Sequence, residues 1–204
     1  MKIETIVDNN SFMVNTYVLY ENDTALVIDP GADFHTIKTF LNTSNITKIS
    51  IFLTHGHVDH IFSLEQLAKE YNATVYIHEK DEHLLYDSKA NCSSIFGMPM
   101  VVKDIKVNTV TDKLVFNQYT FQVIHVPGHT PGQSMLLVKD QNALFSGDFL
   151  FNNGIGRYDL PGGDGIAMKK SLEVIYTLNP NLKVYPGHGA TTTIKEELKN
   201  NPYL

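Results

Sequence analysis

"LTHGHVDH", Leu53 to His60, places three histidines and an aspartate within six positions of a 204-residue chain that has only nine histidines. The run leading into it, "KISIFLTH" (48–55), is apolar and β-branched, which predicts a strand. If the chain leaves that strand still extended, the period of two aims His55 and His57 to one side. Gly56 between them then lets the backbone crowd a bound ion. Asp59 and His60 follow where the chain turns into a helix. Adjacent residues there point in different directions, so they can serve a second ion beside the first.

One short source cannot close two tetrahedral or five-coordinate shells, so further His or Asp ligands are expected on later loops. Three candidates share one form. His129 stands in the turn "VPGHTPG" after the strand-like "FQVIHV"; Asp148 ends "LFSGD"; His188 lies in "VYPGHG". In each, the side chain follows a glycine directly, after a short apolar run.

Outward from these motifs, "KIETIVDN", "NTYVLYE" and "TALVIDPG" are β-branched and aromatic runs separated by Asn, Asp and Gly, which predicts a strand meander. "DFHTIKTFLNT", "DHIFSLEQLAKEYN", "DGIAMKKSLEVIYTL" and "TTTIKEELKNN" carry helical spacing, with Asp164 as an N-cap. "TVYIHE" and "LKVYPGHG" read as strands, 87–100 as a loop, and 101–126 and 134–150 as β structure. No linker or repeat interrupts residues 1–204, so one domain of layered α and β is expected, two sheets with helices outside.

Composition excludes several classes. An apolar content of 43% supports a full core, and a single cysteine, Cys92, rules out an intramolecular disulfide framework. The N-terminus lacks the features of a secretory signal, which points to the cytoplasm. No apolar run is long enough to span a bilayer. Net charge is −6 and the one arginine is Arg157, so the basic face that tracks nucleic acid is missing. His35, His78 and His83 read as solvated, His125 as a packed histidine or a neighbour of ligands, and Cys92 as a small buried or loop residue.

The set "LVIDPGA", "THGHVDH", "PGHTPG", "SGD" and "YPGHG" resembles the metallo-β-lactamase superfamily over nearly the whole chain. The resemblance implies a four-layered αβ/βα sandwich of two mixed sheets. By position it implies a first metal on His55, His57 and His129, a second on Asp59, His60 and His188, and Asp148 bridging them. Two divalent ions are implied, zinc first, with iron or manganese as alternatives. Within the superfamily, "GIGRYDLPGGD" (154–164) resembles the short glyoxalase II-like hydrolases, which implies a small acyl-thiol substrate of the S-lactoylglutathione type. This block departs from its relatives at Tyr158, and the chain stops at Leu204 without the C-terminal helical domain that longer members use to hold glutathione. Mononuclear-iron persulfide dioxygenases look similar on the same ligands and are the alternative. Other hydrolases or nucleases of this fold, and a scaffold without activity, come behind.

Two ions roughly 3.5 to 4 Å apart can hold a shared hydroxide near neutral pH and polarise a carbonyl, which is hydrolytic chemistry. Asp59 is expected to orient that nucleophile as well as to ligate. A thiolate, with a pKa near 8.5, departs without a strong general acid. Thr54 and Thr130 are candidates to hold imidazoles from behind. Arg157 either clamps a substrate carboxylate or braces its loop through Asp159 or Asp164.

Overall fold

The structure, a computed structural model, describes residues 1–7 and 12–204. The first sheet has the order β1 (Lys2–Val7), β2 (Asn15–Glu21), β3 (Thr24–Ile28), β4 (Lys48–Phe52), β5 (Thr74–His78) and β6 (Lys106–Val110). Its first three strands pair antiparallel and the rest parallel. The second sheet comprises β7 (Lys113–Phe116), β8 (Tyr119–His125), β9 (Ser134–Val138), β10 (Ala143–Gly147), β13 (Lys183–Pro186) and β14 (Thr192–Thr193), ordered β14-β13-β10-β9-β8-β7. Only β10 and β13 pair parallel in it. A ribbon of β11 (Leu150–Phe151) and β12 (Gly154–Ile155) stands beside them.

Alternation along the strands divides the interior into three layers. Tyr17, Leu19, Leu26, Ile28 and Phe52 face Leu136, Val138, Phe121 and Phe145 across the two sheets. Val18, Ala25, Val27 and Ile51 point the other way, against α1 (Phe34–Thr43), α2 (Val58–Ile61) and α3 (Leu64–Glu70). Met135, Leu137 and Leu144 likewise turn to α4 (Gly165–Leu172) and α5 (Ile194–Asn200). A period of two in strands buried on both faces requires these outer layers, and the result is helix, sheet, sheet, helix.

The helix boundaries differ from the sequence reading at two places. The run from Asp59 to Asn72 is split into α2 and α3. Ser63 sits at the break, donating its hydroxyl to Ala32 O at 2.6 Å while its N–H donates to Pro30 O. These bonds tie the break to the turn after β3. The helix expected over 164–178 holds as α4 only to Leu172, then tightens to a 3₁₀ turn over Glu173–Thr177. Asp164 caps α4 by accepting from the N–H groups of Ile166 and Ala167. The first strand ends at Val7; Asp8 and Asn9, also read as part of it, lie outside the described residues.

Candidate metal centre

β3 and β4 run parallel in one sheet, and β10 and β13 in the other. β8 is antiparallel to β9, which is antiparallel to β10, so β8 points the same way as β10 and β13. The turns that leave β4, β8, β10 and β13 therefore gather at one edge, and they carry His55 to His60, His129, Asp148 and His188. Asn15 clips the last of these turns to the first sheet. Its N–H donates to Gly187 O at 2.7 Å, and its side-chain amide to Pro186 O and Gly189 O.

All seven expected ligand residues come together. They form two groups, His55, His57 and His129 in one and Asp59, His60, Asp148 and His188 in the other, with the candidate ligand atoms of each group within 4.8 Å of one another. The His57 Nδ1 and His129 Nε2 atoms lie 2.9 Å apart. His60 Nε2 is 3.2 Å from Asp148 Oδ1, and His188 Nε2 is 3.1 Å from Asp59 Oδ2. Asp148 Oδ2 stands 3.6 Å from His129 Nε2 in the first group and 3.7 Å from His188 Nε2 in the second. Asp148 thus lies between the groups.

Acceptors behind the rings dictate where the protons sit. His129 Nδ1 is 2.6 Å from Arg157 O and His188 Nδ1 is 3.2 Å from Met13 O. A carbonyl only accepts, so each Nδ1 carries the proton and each Nε2 turns a lone pair inward. Asp29 does the same for the HGHVDH loop. It accepts from Thr54 N at 2.8 Å, from Thr54 Oγ1 at 2.7 Å and from His60 Nδ1 at 3.0 Å. With its hydroxyl proton given to Asp29, Thr54 Oγ1 is left as an acceptor for His55 Nδ1, 3.1 Å away. Lone pairs so aimed at carboxylate oxygens repel unless a cation lies between.

Burial makes the same demand. His55 Nε2, His60 Nε2 and Asp148 Oδ1 are buried without a hydrogen-bond partner, the costly condition that a metal ion relieves. Burial, reinforced by neighbouring histidines, holds His55 well below the ordinary imidazole value and His57 down at about 3. Both are neutral and ready to ligate. Burial opposes charge on His60 and His188 too, yet Asp148 and Asp59 around them raise both. Burial works against ionisation of Asp59 and Asp148, but the adjacent His60 keeps both carboxyls below the usual range. The donor set therefore fits two cations, with imidazoles in one group and mixed imidazole and carboxylate in the other.

Several expectations change. Thr54 does hold an imidazole, but Thr130 donates to Asp81 Oδ2 at 2.7 Å instead. Asp81 also accepts from the N–H groups of Gly132 and Gly56, so it ties the two histidine loops together. Gly56 answers to packing, because a Cβ there would lie 2.6 Å from Leu84 Cβ. At Gly187 the close approach is to the centre: a Cβ would collide with Asp148 Oδ1 and His60 Cε1. His78 is buried and stacks on His125 at 4.1 Å, whereas His35 and His83 are exposed as expected. Arg157 makes a two-pronged pair with Asp159, at 2.7 and 2.9 Å, while Asp164 caps α4. Asp29 and Asp81 were the residues sequence reasoning missed. The signal for Asp29 was present in "LVIDPG", an acidic residue ending a strand beside the histidine strand.

A cavity of about 430 Å³ opens over both groups, lined by His57, Asp59, Cys92, Phe96, His129, Asp148, Phe151, Ile155, Arg157, Leu160 and His188.

Two predictions follow from the proton placement. Asp29→Asn puts an amide NH2 against either His60 Nδ1 or Thr54, so it should turn a proton inward. Competition with a chelator is expected to show metal affinity lowered by about 10- to 100-fold with the fold kept; unchanged affinity would contradict the role given to Asp29. On acidification, the raised His60 and His188 take protons at a higher pH than the depressed His55 and His57 do. The ion of the mixed group should therefore leave first as the pH falls, read as metal per chain; simultaneous loss of both ions would contradict the assignment.

Comparison with known proteins agrees with this geometry. The profile of the metallo-beta-lactamase superfamily matches residues 10–188. A probable metallo-hydrolase of Bacillus subtilis, YqgX, is 34% identical over 193 residues, covering 93% of this chain and 92% of that one. The hydroxyacylglutathione hydrolase GloC of Haemophilus influenzae is 30% identical over 209 residues, covering 100% and 98%. Among solved structures, the B3 metallo-beta-lactamase BLEG-1 superposes with a TM-score of 0.92 at 34% identity, covering 100% and 99%. TTHA1623, solved in a di-iron-bound form, gives 0.87 at 32%, covering 97% and 98%. Across its length, and at the edge where its histidines and aspartates meet, the chain belongs to the metallo-beta-lactamase superfamily.

Proposed function

We propose that this protein is a metal-dependent hydrolase of thioesters, acting on a small acyl-thiol substrate by the same bond cleavage that splits S-lactoylglutathione into acid and thiol. The single observation that carries the reading is the composition of the cavity wall. Apart from the seven candidate ligands, only Cys92 and Arg157 among the described lining residues are polar. Burial pushes the Cys92 thiol up, and Arg157 is already paired with Asp159, so neither is a ready proton donor. A leaving group must then depart unprotonated. A thiolate does so; the amine of an opened lactam does not. GloC, whose name carries this activity, is the relative that supports the choice.

Two ions held by His55, His57 and His129 and by Asp59, His60 and His188, with Asp148 between, would activate water and polarise the thioester carbonyl. Zinc is the metal we assign, since imidazole and carboxylate donors suit it; the di-iron form of TTHA1623 makes iron the alternative. Asp59, partly exposed to the cavity, accepts the hydrogen bond of the attacking water and orients it. The backbone of Arg157 keeps His129 in the right tautomer, and the Arg157–Asp159 pair braces that backbone. Likeness to BLEG-1 favours lactam hydrolysis as the second reading.

A panel of thioesters, a β-lactam and a persulfide tests this. Chelator-sensitive thioester hydrolysis is expected, and Asp59→Asn should lower kcat by on the order of 10² or more from lost alignment, unrestored by excess zinc. Faster lactam turnover would move the protein to the second reading. Oxygen uptake on the persulfide with one iron per chain and no hydrolysis would overturn both.

A further inference from the structure

The wall of the cavity says what kind of substrate arm it holds. Phe96, Phe151, Ile155 and Leu160 line it together with candidate ligands, and the Phe151 ring lies edge-on to that of His188 at 6.2 Å. Arg157 is the only lysine or arginine among the described lining residues, and its guanidinium is held by both oxygens of Asp159. The apolar surface does not stop at the mouth. Phe96 is 55% exposed, and its ring meets Phe12 edge-on at 5.9 Å; Phe12 in turn meets the 46%-exposed Phe62 at 6.0 Å. Three aromatic rings thus form a ledge continuous with the cavity. Half-exposed aromatics cost free energy to keep in water, and covering them with an apolar group is favourable. Glutathione offers the opposite chemistry, a peptide with two carboxylates and an ammonium, and its carboxylates would find no lysine and no unpaired arginine among the described lining residues.

We propose that the substrate arm filling this cavity is an uncharged apolar chain, lying along Phe96 towards Phe12 and Phe62. The substrate class is then an alkyl or aryl acyl thioester, not a conjugate of a charged peptide thiol. This rests on the thioester reading above and changes only the identity of the arm.

The test uses the full chain loaded with zinc and two substrate series. One lengthens the acyl group of N-acetylcysteamine thioesters from acetyl to hexanoyl, and the other lengthens the alkyl group of S-alkyl thioacetates from ethyl to hexyl. At least one series is expected to rise on the order of tenfold in kcat/KM over four methylenes, and to exceed S-lactoylglutathione. Phe96→Ala, at a half-exposed position, should flatten that rise. Two flat series with S-lactoylglutathione the best substrate, or a rise that survives Phe96→Ala, would overturn the proposal while leaving a thioesterase. If no thioester is hydrolysed, the thioester reading fails by itself. Calorimetric binding of butanethiol, hexanethiol and glutathione still decides the arm: affinity rising with chain length supports an apolar site, and glutathione binding tightest refutes it.

Discussion

Three hydrogen bonds into one buried carboxylate, Asp29, govern the direction of the His55 and His60 lone pairs in the HGHVDH loop. The carboxylate can only accept, so it takes the Thr54 amide, the Thr54 hydroxyl and the His60 Nδ1 proton. Thr54 then relays the constraint to His55. Backbone carbonyls of Arg157 and Met13 repeat the device at His129 and His188. Four imidazoles on three loops are thereby preset with a free nitrogen inward before any ion arrives. Such preorganisation is worth having because a ring free to choose its tautomer loses affinity in the wrong one.

The sheets make this possible by where they end. Strands β4, β8, β10 and β13 stop at a common edge, so short turns suffice to aim their side chains at one point. Rigid strands hold the ligands, while the longer segments over 87–100 and 151–164 supply the cavity wall. Division of labour follows: the edge supplies the ligand geometry, and the loops supply the substrate surface. Asp81 joins two of the ligand turns at the back by accepting from Gly56, Thr130 and Gly132.

Much of this was legible in the sequence, for reasons that can be named. Two sheets with helices outside were legible because short apolar, β-branched runs such as β3 and β9 alternate along the chain with helical spacing, whereas the four-layered arrangement came from the motif resemblance and the order of strands within each sheet came only from the pairing. Histidines and aspartates after glycine turns stood out because their chemistry is rare and their form recurs. The break between α2 and α3 was hidden, since helical spacing continues through Phe62 and Ser63 and distant bonds from Ser63 to Ala32 and Pro30 accompany the break. Asp29 and Asp81 were missed because a carboxylate that serves only hydrogen bonds looks the same in sequence as a solvated one. His78 looked solvated because nothing local reveals that His125 will stack on it.

Anomalous diffraction from crystals of the zinc-loaded chain tests the central claim most directly. Two zinc peaks per chain are expected: one among His55, His57 and His129 and the other among Asp59, His60 and His188, with the Asp148 carboxylate between them. A single peak, or one bound through the Nδ1 atoms that face Thr54, Asp29, Arg157 and Met13, would contradict the account.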